Sequence, residues 1–140
     1  MPSEISPKPP GVIHPWGDQA TPYEAIGGDG EVRRLVETFY DIIEDHSPDL
    51  RAMLPANTAG SREKLYEYLS GWLGGPPLYT EKRGHPQLRR RHLPFPIGRA
   101  EADEWMRSMR EAMDQTGVEG PIRYFLESKL EPLAHHMINR

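Results

Sequence analysis

The sequence predicts an all-α domain, on three observations. Apolar residues recur three and four positions apart through most of the chain, the spacing of a buried helical face. No segment sustains the period-two alternation of a half-buried strand, and no internal repeat is present. The punctuation between periodic segments is helical too, with Thr-Pro, Ser-Pro and Gly-Pro at the starts and glycine at the ends.

The elements follow in order. Residues 1–20 are rich in proline and polar side chains and read as an extended arm, flexible or laid over the domain that occupies 21–140. The arm has no continuous apolar stretch, so no secretory signal is expected and the cytoplasm is the default compartment. Thr21-Pro22-Tyr23-Glu24 is a helix start, with Thr21 as cap, Pro22 in the first position and Glu24 closing a capping box. Gly27-Gly28 stops that helix after about one turn. A long helix begins near Asp29 and buries Val32, Leu35, Val36, Phe39, Tyr40 and Ile43. Ser47-Pro48 opens a short helix over 49–53, and residues 55–58 turn the chain. The next helix, 59–73, carries Leu65, Tyr68, Leu69 and Trp72 on one side and ends at Gly74-Gly75-Pro76-Pro77. Residues 78–98 read as irregular, with room for one short helix over 86–91. The period returns at Arg99 with Ala102, Trp105, Met106, Met109 and Met113, and breaks at Gly117. Gly120-Pro121 starts a last helix with Ile122, Phe125, Leu126, Leu130, Leu133, Met137 and Ile138, where Pro132 predicts a bend.

Composition limits the chemistry. With 140 residues, 36% hydrophobic, the chain suits a single lean core. The formal net charge of -4 argues against a surface built for nucleic acid. The chain has no cysteine, which excludes disulfides, thiolate catalysis and cysteine-ligated metals. No apolar run approaches the roughly 20 residues of a membrane helix.

A long, poorly structured connection inside a compact domain is usually functional. This one contains RGHPQLRRRHLPFPIG, residues 83–98. His85 and His92 lie seven positions apart, two turns on any continuous helix and too far to share one ion. Glu81 is the only carboxylate nearby, so a small-ion site built from this stretch is disfavoured. Lys82, Arg83, Arg89, Arg90 and Arg91 concentrate positive charge that phosphates would attract, but no nucleic-acid reading motif accompanies them. A third reading singles out His92, at the end of a short helix that Pro94 and Pro96 prevent from continuing. A lone projecting imidazole is a good axial ligand for heme iron, and a cationic rim suits the two propionates. For an arbitrary helical protein, a structural histidine is the plainer reading.

The sequence is similar to the truncated hemoglobins, and to their second group in particular. The likeness is carried by Tyr23-Glu24-Ala25-Ile26-Gly27-Gly28, Phe39-Tyr40, Gly74-Gly75-Pro76 with Tyr79, residues 83–89, Arg91-His92, Pro94-Phe95 and Trp105. It spans about 22–139. This resemblance implies a two-over-two helical sandwich around a b-type heme, with His92 as the proximal iron ligand. Tyr40 and Trp105 would line the distal side and donate hydrogen bonds to dioxygen or another small diatomic ligand. Ser61 takes a distal position usually occupied by a small residue. Leu65 would press on the heme face, with Phe95 beside His92. Lys64, Tyr79, Arg83, His85 and Arg89 are candidates for the propionate rim. His14, His46, His135 and His136 acquire no role. At Leu54 the family pattern has an aromatic residue; leucine keeps the apolar packing and loses a possible donor.

The function so implied is reversible dioxygen binding with redox chemistry on small ligands, such as nitric oxide dioxygenation or peroxide reduction. The sequence holds no reductase domain, so an electron donor of unknown identity is required. Strong donors around bound dioxygen favour slow release, which suits chemistry or sensing better than bulk transport. A helical interaction module that has kept only the fold is the competing reading, and the retained Tyr40, His92 and Trp105 argue against it.

Overall fold

The computed structural model describes residues 13–140. Residues 1–12 of the predicted arm lie outside that range. The described residues form eight helices and no strand: α1 (Pro22–Ile26), α2 (Asp29–His46), α3 (Pro48–Arg51), α4 (Ala59–Trp72), α5 (Leu78–Arg83), α6 (Leu88–His92), α7 (Arg99–Thr116) and α8 (Pro121–His136). α2 packs on both α4 and α7, and α7 packs in turn on α8. The pair α2–α4 therefore lies over the pair α7–α8, which is the expected two-over-two arrangement. Among the described residues no helix is long and apolar enough to cross a membrane.

The core lies where α2 meets α7. Val32, Leu35, Val36 and Phe39 of α2 are buried against Met106, Met109 and Met113 of α7, and Leu126 and Leu130 of α8 complete the cluster. Burying each such side chain contributes about 1.5–3 kcal/mol. The three methionines suit an interface where two layers cross, since an unbranched thioether adapts to irregular gaps.

Local signals act largely as the sequence predicts. Thr21 Oγ1 accepts the Glu24 N–H at 3.1 Å, and Gly27 closes α1 in the left-handed region. α1 is pinned to the end of α4 by the Tyr23 N–H on the Leu73 carbonyl (2.9 Å). Gly75 lies so close to the Tyr23 ring that a Cβ there would stand 2.4 Å from it, so only glycine fits. α8 runs through Pro132 without ending. In the described part of the arm, Trp16 packs edge-on against Phe125 at 5.2 Å and stacks on His14 at 4.6 Å.

Residues 78–98 differ from expectation. They contain two short helices rather than one, because α5 forms over Leu78–Arg83. α5 has no apolar period of its own. Its partner is Glu67 of α4, fully buried, whose carboxylate accepts from Arg83 Nε (2.7 Å) and Lys82 Nζ (2.9 Å). A buried carboxylate must be paired, and the pairing docks α5 on α4. α4 also differs from a one-faced helix. It buries Tyr66, Glu67, Leu69 and Ser70, while Leu65, Tyr68 and Trp72 stay half-buried on an adjoining face.

A second ion cluster joins α2 to α4. Arg62 contacts Glu37 (2.7 Å), Asp41 (2.9 Å) and Glu44 (2.8 Å), and its Nε donates to Thr58 Oγ1 (2.9 Å). Thr58 in turn donates to Glu44 at 2.6 Å.

The hydrogen bonds from Arg83 and Lys82 hold the Glu67 carboxyl below its ordinary 4.5. A depressed carboxyl stabilises the fold fully above that value, and the contribution is lost as pH falls through the lower folded value. Glu67→Gln should therefore cost about 2 kcal/mol at neutral pH. The gap to wild type should close in acid, where Glu67 is itself neutral. Urea unfolding of both proteins across the acid range checks this.

Candidate functional site

Phe39 of α2 is fully buried and meets two other rings edge-on. Tyr40 lies 5.2 Å away between centroids and Trp105 of α7 lies 5.1 Å away. Both are half-buried at the margin of the core. Among the described residues neither the Tyr40 hydroxyl nor the Trp105 indole N–H has a hydrogen-bond partner. Burial pushes the Tyr40 phenol up to about 12, against the pull of the Arg62 guanidinium 5.7 Å from the ring centroid. Tyr40 is therefore a protonated donor throughout the physiological range. Leu54, Leu65, Tyr68 and Leu133 are also half-buried against the core, and Ser61 is partly exposed on α4. Arg51 fixes the turn that carries Leu54, donating to the carbonyls of Pro55 and Ala56, both at 3.0 Å.

His92 ends α6. Its Nδ1 lies 2.6 Å from the Leu88 carbonyl one turn back. Since a carbonyl only accepts, Nδ1 carries a proton, and in the neutral imidazole Nε2 keeps its lone pair. Nε2 has no partner among the described residues. α6 starts at Gln87, whose left-handed backbone is unusual for a residue other than glycine. The Gln87 N–H donates to His85 Nδ1 at 3.1 Å, so the ring of His85 supports this turn. After His92 the chain exposes apolar side chains, with Leu93 54% and Phe95 40% accessible.

The basic residues singled out in the sequence are engaged in different ways. Arg83 is bound to Glu67 and lies 5.9 Å from the centroid of the buried Tyr79 ring. Arg89 donates to the carbonyls of His136 (2.5 Å) and Ile138 (2.9 Å) at the end of α8. Lys64 is exposed on α4. A cleft of about 320 Å³ separates 85–89 from the end of α8 and is lined by Tyr68, Leu88, Leu133 and Met137 among others. A second of about 220 Å³ adjoins it through Tyr68 and Pro86 and reaches Glu67 and Tyr79.

Sequence reasoning missed three contributors. Tyr68 lines both clefts, and burial raises its phenol. Its place on the apolar stripe of α4 concealed it. Glu67 fell among the charged residues and had no visible signal. Asn139 bonds to the segment after His92, as described below, and its distance in sequence hid the link.

The profile of the bacterial-like globin family matches residues 21–139. The chain belongs to this family. It is 49% identical over 119 residues to a group 2 truncated hemoglobin of Bacillus subtilis, covering 85% of this chain and 89% of that protein. Among solved structures, the group II truncated hemoglobin of Bacillus anthracis superimposes with a TM-score of 0.84 at 46% identity, covering 86% of this chain and 98% of that one. The group II two-on-two hemoglobin of Agrobacterium tumefaciens gives 0.83 at 48% identity, covering 88% and 97%. The likeness is thus to group II truncated hemoglobins over their nearly full length.

Globin membership implies heme, and the residues present fit such a group. Among the described residues, three half-buried donors, on Tyr40, Tyr68 and Trp105, have no hydrogen-bond partner, and His92 offers one unsubstituted ring nitrogen. Unpaired polar groups at a core margin cost stability unless something meets them.

The raised Tyr40 phenol has a direct test. In the heme-free protein, alkaline titration of the tyrosinate absorption should show Tyr40 among the last phenols to ionise, near 12, with Tyr66. Tyr40→Phe should remove one late-titrating phenol and leave the earlier part of the curve unchanged.

Proposed function

We propose that the chain binds a b-type heme through His92 Nε2 and takes up dioxygen reversibly. The observation that carries this reading is the state of His92: one ring nitrogen is fixed by the Leu88 carbonyl, and the other is left as a bare lone pair. A carbonyl partner of this kind sets the tautomer and raises the donor strength of the opposite nitrogen. The group so held supplies an iron centre for reversible coordination of small ligands. The solved structure of a truncated haemoglobin of Bacillus subtilis, 49% identical, is named as oxygen-avid, which agrees in kind.

The chain's residues then have separate tasks. Tyr40 and Trp105 donate hydrogen bonds to a ligand that carries partial negative charge, in a pocket dry enough to make those bonds strong. Leu54, Leu65 and Phe95 supply apolar surface, and Ser61 a small polar one. At the rim, Lys64, Tyr79, Arg83, His85 and Arg89 supply charge and hydrogen-bond donors for the propionates. Arg83 and Arg89 do so while also serving Glu67 and the end of α8. Two redox reactions suit such a site. Nitric oxide dioxygenation converts nitric oxide and dioxygen to nitrate and consumes one electron per turnover. Peroxide reduction to water consumes two electrons and two protons. Either needs an external donor.

The test is the visible spectrum of the purified protein when ferric, reduced, and reduced then exposed to oxygen. A Soret band that shifts on oxygenation and is lost or strongly altered in His92→Ala is expected. No Soret band even after added hemin would overturn the reading. In the oxygenated protein, Trp105→Phe should speed oxygen release at least about tenfold, the cost of one strong donor. Stopped-flow release that barely changes would remove Trp105 from the site.

A further inference from the structure

α6 has five residues, too few to hold its own shape; a helix this short is marginal without tertiary support. Yet His92 depends on it for orientation. The support comes from the far end of the chain. Asn139 Nδ2 donates to the carbonyls of His92 (3.3 Å) and Phe95 (2.9 Å). Its Oδ1 accepts the Ile97 N–H at 3.0 Å, and its own N–H donates to the Ile97 carbonyl at 2.8 Å. One residue thus makes four hydrogen bonds, one to His92 and three to the segment that follows it. The first turn of α6 is held from the same side, by Arg89 on the carbonyls of His136 and Ile138. Those carbonyls lie at a helix end and lack helical partners of their own. Ile97 is buried, so the strapped segment is anchored rather than draped.

We propose that residues 137–139, fixed by Asn139 and Arg89, are a strap that positions His92 and sets how its imidazole is presented to iron. Asn139 is a positioning residue. It touches the backbone of His92, not the ring, and acts through α6. This inference rests on the reading of His92 as the iron ligand. It goes beyond that reading by placing control of the ligand in the last turn of the chain. Because the Nδ1–Leu88 contact fixes the ring only relative to α6, any rotation of α6 carries Nε2 with it. Without Asn139 the bond from Nδ1 persists and Arg89 still holds the first turn of α6, while the end that carries His92 loses its tie to the strap.

The experiment compares wild type, Asn139→Ala and Asn139→Asp as heme-loaded proteins. Asn139→Asp keeps an acceptor for the Ile97 N–H but sets a carboxylate against the carbonyls of His92 and Phe95. Three quantities are read: amide hydrogen exchange over 93–98 by mass spectrometry, the iron–histidine stretching band of the reduced unliganded protein by resonance Raman, and heme transfer to excess apomyoglobin. For Asn139→Ala we expect faster exchange over 93–98, a shifted and broadened stretching band, and heme loss faster by about tenfold, the loss of one to two net hydrogen bonds. For Asn139→Asp we expect partial protection at 97 with the same altered band. Faster exchange with an unchanged band and unchanged heme loss would overturn the proposal, since the strap would then be structural only. Unchanged exchange would overturn it too. If His92→Ala keeps the wild-type stretching band, the assignment of the ligand itself has failed, whatever Asn139 does.

Discussion

The site is organised by one ring. Phe39 is fully enclosed where α2 crosses α7, and its two edge-on neighbours, Tyr40 and Trp105, come from those two helices. Edge-to-face contacts have preferred geometry as well as energy, so a core residue fixes the directions of two polar aromatics at the core margin. The crossing of α2 and α7 is therefore both the main hydrophobic interface and the jig for the donors. Any shift of the layers moves both donors at once, and close packing makes such shifts costly.

Around that crossing the fold uses charge to place what apolar packing leaves loose. Arg62 ties α4 to α2 through three carboxylates beside Tyr40. Glu67 docks α5 on α4. The buried Ser47, at the junction of α2 and α3, donates to Glu104, the neighbour of Trp105. A surface ion pair contributes little, but these are half-buried clusters with several hydrogen bonds each. Their shared effect is register: they set where α4, α5 and α7 stand relative to α2. At α6 the same task falls to hydrogen bonds that join Asn139 and Arg89 to backbone groups, because α6 buries no residue and the segment after it leaves Leu93 and Phe95 exposed.

The long helices α2, α7 and α8 were legible in the sequence because each carries one strong regularity, an apolar face broken by glycine or proline; α4 was legible in extent but buries Tyr66, Glu67 and Ser70 outside the stripe read for it. The α2 stripe from Val32 to Ile43 and the α7 stripe from Ala102 to Met113 are buried as read except at Tyr40 and Trp105, which stay half-buried. α5 was not legible. Its stability comes from Glu67, a charged residue whose burial no local pattern announces. The site was legible only in part, for a related reason. Residue type and the motif around His92 draw attention to Tyr40, His92 and Trp105. What holds them, namely the ring of Phe39 and the side chain of Asn139, acts through contacts that no periodic pattern announces. Arg89 shows the limit of reading charge alone. It sits in an arginine cluster that suggests an anion, yet its hydrogen bonds among the described residues go to the backbone carbonyls of His136 and Ile138.

The chemistry of the donors has a consequence for ligand choice on the reading proposed above. A phenol pushed up to about 12 by burial remains an O–H at any physiological pH, and an indole offers only its N–H. Leu54 adds neither donor nor acceptor. Tyr40 and Trp105 therefore face a ligand as donors. A donor left unmet in a half-buried pocket is penalised, so a ligand that accepts hydrogen bonds gains twice: it makes the bond and relieves the penalty. Dioxygen, which becomes more negative on coordination, gains more from this than carbon monoxide, which stays close to apolar. On that reading the selectivity would reside in the pair of donors and in the packing on Phe39, with both donors lacking hydrogen-bond partners among the described residues.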